Sequence, residues 1–159
     1  ATKFLVEEIW PKIKSQIINA KLWIVGRNPP DDILNYRSDD IRVDGGVEDI
    51  RLAYGSASVL LAPIRNGRGT KYKILEAMAT QTPIVGTKLA IEGINIQAGV
   101  HALVSQTAED LASQTVKVLT SPAFGQKLAT AAYQLVARDY NWQRISEKLG
   151  QVYQEVGGR

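Results

Sequence analysis
The chain has 159 residues, 45% of them hydrophobic, and its 19 basic and 16 acidic residues leave a net charge of +3. That length and apolar fraction suffice for one full-sized core, and the six prolines and thirteen glycines are too dispersed to mark a linker, so a single domain over 1–159 is expected. No cysteine is present, which excludes disulfides and thiolate chemistry; no apolar run approaches the ~20 residues of a membrane helix and no signal peptide opens the sequence, so a cytoplasmic location is expected.

In chain order, Phe4, Leu5, Ile9, Ile13 and Ile17 recur at helical spacing and predict a helix over Thr2 to Ile18, kinked or restarted at Pro11. Leu22 to Val25 reads as a short strand ending at Gly26, and Pro30 and Asp31 start a brief helix through Tyr36. Ile41 to Val43 is the next strand. A Gly45-Gly46-Val47 turn leads from it into a helix from Glu48 to about Ala53.

The central stretch begins with a buried strand, Ser58 to Pro63, passes a turn loosened by Gly67 and Gly69, and enters an amphipathic helix from Thr70 to near Thr80. A helix start carries unpaired N–H groups and roughly half a positive charge. Acidic residues usually relieve that charge, but this helix opens with Lys71 and Lys73 and is preceded by Arg65 and Arg68. Between Ile64 and Glu76 four basic residues face one acidic residue, an excess that repels itself unless an anion sits among the charges. Phosphate is the natural candidate, since Gly67 and Gly69 let a ligand approach the backbone in what is expected to be a pocket. The plainer alternative is a solvated basic turn capped by Thr70.

At about 100° per residue, Ile74, Leu75 and Met78 form the buried face of this helix, and Glu76 projects from the other side with Tyr72 and Lys73. A carboxylate there is set back from the phosphate site and can accept hydrogen bonds from a sugar diol. Phosphate at the helix start and a diol along its flank together describe a nucleotide. The alternative is an exposed Glu76 paired with Lys73. The P-loop is excluded because Gly69-Thr70-Lys71 lacks its Gly-Lys-Ser/Thr order, and the dinucleotide fingerprint because Tyr72 stands at its third glycine.

Beyond this stretch, Pro83 to Gly86 is a strand, Ala90 to Ile94 a loop and Ala102 to Val104 the last strand. Three helices close the chain. Leu111, Thr115, Val118 and Leu119 mark the first; Phe124, Leu128, Ala132 and Leu135 mark the second after Ser121-Pro122; and Trp142, Ile145, Leu149, Val152 and Tyr153 mark the third after Asn141. His101 is the only histidine, which leaves little material for a catalytic triad or a histidine metal site, and Asp31-Asp32 and Asp39-Asp40 read as solvated turns or helix starts, so no metal is expected. Only Tyr72 interleaves an aromatic ring with the basic patch, which argues against nucleic acid.

The run GRGTKYKILEAMATQTPIVGT with the following LAIEGI resembles the nucleotide-sugar-binding half of the family 4 (group 1) glycosyltransferases, whose GT-B fold pairs two Rossmann-like domains. LWIVGRNP, IRVDGGVEDI, YGSASVLLAP and YNWQRISEKL support the resemblance in the same order along nearly the whole chain. The resemblance implies an α/β fold, a doubly wound parallel sheet flanked by helices, and transfer of a hexose-type sugar from a UDP- or GDP-type donor with retained configuration. It implies that the donor diphosphate and sugar lie against Gly67, Arg68, Gly69, Thr70, Lys71, Tyr72 and Lys73, that Glu76 binds the ribose, and that Gly46 and Val47 lie against the base.

The family places two glutamates eight positions apart. Glu76 matches the second and Arg68 stands at the first, which leaves the sugar contacts open. Glu92 matches the acid of a family loop, with Ala90 in place of that loop's glycine, and ranks below Glu76. No catalytic residue, cofactor or metal is assigned. The expected partners are the nucleotide-diphosphate sugar and an acceptor-binding N-terminal domain absent from this sequence, which leaves open peripheral membrane association through that domain; this chain alone is expected to be inactive. In the family the last helix crosses back to the partner domain, so an isolated copy is expected to expose part of its stripe. The family's first strand precedes the opening helix, so a vacant slot is expected between Leu22 to Val25 and Ser58 to Pro63. A non-catalytic nucleotide-sugar-binding module and a sugar-nucleotide epimerase of the same architecture are the alternative functions.

Overall fold
The structure, a computed structural model, describes residues 1–157 other than 68 and 70, with the backbone alone described at 148. The N-terminal helical segment is α1 (Thr2–Phe4), a π-helical turn (Leu5–Ile9) and α2 (Trp10–Lys14). Pro11 supplies the reason for the wide turn: it has no N–H, and in an unbroken α-helix its ring would meet the carbonyl one turn back. The backbone N–H of Trp10 accordingly reaches Leu5 O. Helix geometry ends at Lys14, short of the expected Ile18.

The rest of the chain follows in the order β1 (Leu22–Val25), α3 (Asp31–Leu34), β2 (Ile41–Asp44), α4 (Ile50–Ser56), β3 (Leu60–Ala62), α5 (Tyr72–Ala79), β4 (Ile84–Gly86), α6 (Lys88–Ile91), β5 (Leu103–Val104), α7 (Ala108–Thr120), α8 (Pro122–Asp139) and α9 (Trp142–Gly157). Asp49 caps α4 by accepting from the Arg51 N–H, so that helix starts later than the expected Glu48. The loop expected over Ala90 to Ile94 instead opens as the end of α6, where Thr87 accepts from Ala90 N–H.

All strand pairs are parallel. They form two separate sheets, β1–β2 and β3–β4–β5. Alternate residues of β4 serve opposite faces, as a strand covered on both sides requires. Val85 packs into a core with Phe4, Ile9, Ile13, Leu111 and Leu128, while Ile84 packs into a second core with Ile74, Met78, Ala132 and Leu135. Helices therefore lie on both faces, the Rossmann-like arrangement.

The slot expected between β1 and β3 is present. A cleft of about 620 Å³ is lined by Leu22 and Trp23 of β1 on one side and by Val59, Leu60 and Leu61 on the other. Its edges can be read from the register. Leu22 N–H donates to Asp40 and Gly26 N–H to Asp44, which turns the polar groups of Trp23 and Val25 away from β2. Leu60 N–H donates to Pro83 and Ala62 O accepts from Thr87, which turns those of Leu61 away from β4. Two parallel edges thus face the cleft, and β1 is half-buried along its whole length while β4 is buried at every residue.

Candidate nucleotide site
The site grows from the C-terminal ends of β3 and β4. Ala62 O accepts from both Ile64 N–H (2.9 Å) and Thr87 N–H (3.2 Å), and the buried Thr87 hydroxyl donates to Ile64 O. Thr87 therefore ties the point where the chain leaves β3 to the end of β4. The turn that follows contains Gly67 at φ +133°, a conformation that side-chain-bearing residues rarely adopt, and the space over both Gly67 and Gly69 is open.

Helix α5 begins at Tyr72, with Lys71 at the N-cap position, instead of at Thr70. Its first turn holds no acidic residue, and the Lys71 side chain makes no cap hydrogen bond. Lys71 is half-buried and Lys73 exposed, and among the described residues neither enters an ion pair. Both lysines thus sit at the opening turn of α5, beside its positive end. Arg65, counted with them in the sequence, has other partners: its guanidinium lies 4.4 Å from the Phe4 ring centroid and 4.0 Å from a Glu8 oxygen. Arg68 and Thr70 lie outside the described residues.

The buried side of α5 is Ile74, Ala77 and Met78; Leu75, expected with them, is half-buried. Glu76 is exposed on the other side, as its phase predicts, and among the described residues no ion pair joins it to Lys73. Its partner is one the sequence did not reveal: Tyr54 Oη, on α4, donates to Glu76 Oε2 at 3.1 Å. Burial, followed by the adjacent Glu76 charge and hydrogen bond, raises the Tyr54 hydroxyl well above the ordinary phenol range, so it remains a donor. Twenty-two positions separate the pair, and no local pattern connects them.

Gly46 is exposed and Val47 half-exposed in the turn between β2 and α4. Because α4 packs against α5, one short helix links the Gly46-Val47 turn at its start to Glu76 through Tyr54 near its end. The cleft beside β1 and a cavity of about 640 Å³ lined by Lys88, Glu92 and Gln106 do not include Gly67, Gly69 or Glu76. Among the described residues none packs over Gly67 or Gly69, which leaves the backbone there open to close approach. Glu92 sits instead on that second cavity.

The acidic pairs have structural partners. Asp32 pairs with Lys3 at 2.9 Å, and Asp40 with Lys14 and Lys21 at 2.7 and 2.8 Å, which holds the Asp40 carboxyl below the usual range. Among the described residues no cluster of three or more His, Cys, Asp or Glu could hold a metal, and no helix is long and apolar enough to cross a membrane.

Parallel strands covered by helices on both faces, with a basic helix start at their C-terminal ends, define a Rossmann-like domain. The family described as "Glycosyl transferases group 1" matches residues 1–121, and the chain belongs to it. A phosphatidyl-myo-inositol mannosyltransferase of Mycolicibacterium smegmatis is 27% identical over 155 residues, which cover 93% of this chain and 40% of that relative. A glycosyltransferase from Rickettsia africae superposes with a TM-score of 0.81 at 16% identity, over 96% of this chain and 44% of that one. Anabaena HepE, solved in complex with UDP and glucose, superposes with a TM-score of 0.75 at 15% identity, over 91% and 44%. The structural likeness shows the fold, that of the C-terminal half of a GT-B glycosyltransferase.

Proposed function
We propose that this chain is the donor-binding part of a retaining glycosyltransferase whose ligand is a nucleotide-diphosphate sugar. The observation that carries the reading is the start of α5: a first turn with no acidic residue, two lysines that enter no ion pair among the described residues, and an exposed carboxylate held on the flank. The diphosphate would lie on the N–H groups of Gly69 to Tyr72, with Lys71 and Lys73 beside it and Arg68 and Thr70 completing the contacts. Glu76 would accept the ribose hydroxyls, and Gly46 and Val47 would lie against the base. The fold shared with a protein solved with UDP and glucose supports a sugar nucleotide as the ligand class.

Catalysis in this half would be electrostatic. As the bond from sugar to diphosphate breaks, negative charge grows on the departing oxygens, and fixed N–H dipoles and ammonium groups stabilise it without rearranging. The acceptor would be held by a separate domain, so this chain alone would bind nucleotide and transfer nothing. A parallel strand completing the sheet between β1 and β3 belongs to the same reading, since both edges of the cleft carry backbone groups pointing into it.

Calorimetric titration of the chain with UDP, GDP and ADP tests the site. At least one should bind, with Glu76→Ala and Lys71→Ala each weakening it by about 10- to 100-fold, the size of a lost hydrogen bond to a charged group. Equal heats for the wild type and both variants would remove the assignment.

A further inference from the structure
We infer that Tyr54 is a positioning residue for Glu76, holding its carboxylate in the orientation that receives the vicinal hydroxyls of the nucleotide ribose; the inference rests on the reading of Glu76 given above. Tyr54 is tied down at two points. Its hydroxyl donates to Glu76 Oε2 at 3.1 Å, and its carbonyl accepts from the Thr82 hydroxyl at 3.0 Å. Thr82 is itself fully buried.

The placement of Thr82 follows from how α5 ends. Thr80 closes the helix and Gln81 turns into the left-handed region at φ +54°. Gln81 N–H then donates to Met78 O, and Thr82 N–H to Ala77 O at 2.9 Å, the paired bonds of a Schellman stop. The stop therefore delivers the Thr82 hydroxyl beneath Tyr54, and Tyr54 in turn reaches back to the carboxylate six residues earlier on the same helix. Glu76 is thus bound through a rigid loop of structure.

The chemistry suits a diol. A carboxylate has about four acceptor sites, and one donor on Oε2 leaves both oxygens able to receive further hydroxyls. An exposed glutamate on a helix otherwise samples several rotamers, and the freedom lost when it binds is charged against the complex. A donor already in place removes part of that cost before the ligand arrives. The same bond couples α4, and hence the Gly46-Val47 turn, to the ribose acid.

The test uses Tyr54→Phe, which keeps the ring and its packing, with UDP, GDP and ADP and their 2′,3′-dideoxy counterparts as probes. Tyr54→Phe should weaken the ribonucleotide that binds by about three- to tenfold and leave its dideoxy counterpart unchanged. Adding Tyr54→Phe to Glu76→Ala should produce no further loss. Thr82→Val, which removes the lower anchor and leaves the phenol in place, should show a smaller loss with the same ribose dependence. Full affinity in Tyr54→Phe beside a weakened Glu76→Ala would overturn the inference and leave the reading of Glu76 standing. Equal weakening of ribo and dideoxy probes would assign Tyr54 a general packing role and also overturn it. If neither variant distinguishes the probes, or no nucleotide binds, the reading of Glu76 fails and this inference with it.

Discussion
Helix α5 carries Ile74, Ala77 and Met78 on one stripe, each fully buried, whereas α9 carries Trp142, Ile145, Leu149, Val152 and Tyr153 on an equally regular stripe that stands in solvent, Trp142 at 84% and Tyr153 at 70% exposure. The same contrast divides the strands. β4 lies between two neighbours with helices on both faces, while β1, just as apolar, has one neighbour and an open edge. Periodicity creates a face that needs a partner, but the partner is a property of the surrounding chain. Where it is present, as beneath α5, the element becomes rigid enough to hold a functional side chain such as Glu76.

The largest effect expected from this contrast is in denaturation. Met78→Ala should destabilise the chain by about 3 kcal/mol in urea unfolding, because it empties a fully buried site, while Leu149→Ala should cost less than about 0.5 kcal/mol. Equal costs would mean that α9 is packed in solution and would break the comparison. Hydrogen exchange sharpens the strand half. In β1 the Trp23 and Val25 amides, which face the cleft, should exchange about 100-fold faster than that of Ile24, which faces β2, whereas β4 should show no such alternation.

Smaller still is the stop of α5. Gln81→Gly should stabilise by up to about 1 kcal/mol in the same unfolding measurement, since glycine occupies the left-handed region without strain. A destabilisation would show that the Gln81 side chain, which accepts from Gln126 Nε2 at 3.3 Å, outweighs the backbone term.

The smallest effect is that of His101. Burial, followed by the charge of Arg138, lowers its pKa below 6.5, and its Nδ1 accepts from Gln97 N–H, so the fold favours the neutral ring. That contribution is present above pH 6.5 and is lost as the pH falls through the lowered value. His101→Gln should flatten the stability profile in that window, and an unchanged slope would remove the assignment.

Much of the fold was legible because it is local. The β3–turn–α5 unit, the Pro122 start of α8 with Leu128, Ala132 and Leu135 inward, and the exposed phase of Glu76 each follow from a few consecutive residues. The vacant slot between β1 and β3 was legible from the family resemblance. The π-helical turn before Pro11 was not, since proline marks a disturbance without saying how the backbone absorbs it. The end of α5 near Thr80 was expected, but not the left-handed turn at Gln81 that makes it, since no glycine announces that turn. Arg65 illustrates the limit for charge: it counted toward the anion site, yet Phe4 and Glu8, some sixty residues earlier, engage it.

The sequence by itself determined that a strand enters a glycine turn and a basic helix start, and that one acid rides on the far side of that helix, because backbone conformation and helical phase are set by neighbours in the chain. Only the tertiary structure decided that Tyr54 holds that acid and that Thr87 ties two strand ends together. Those outcomes depend on which distant side chains come within about 3 Å of one another, and that distance is set by how the helices pack on the sheet.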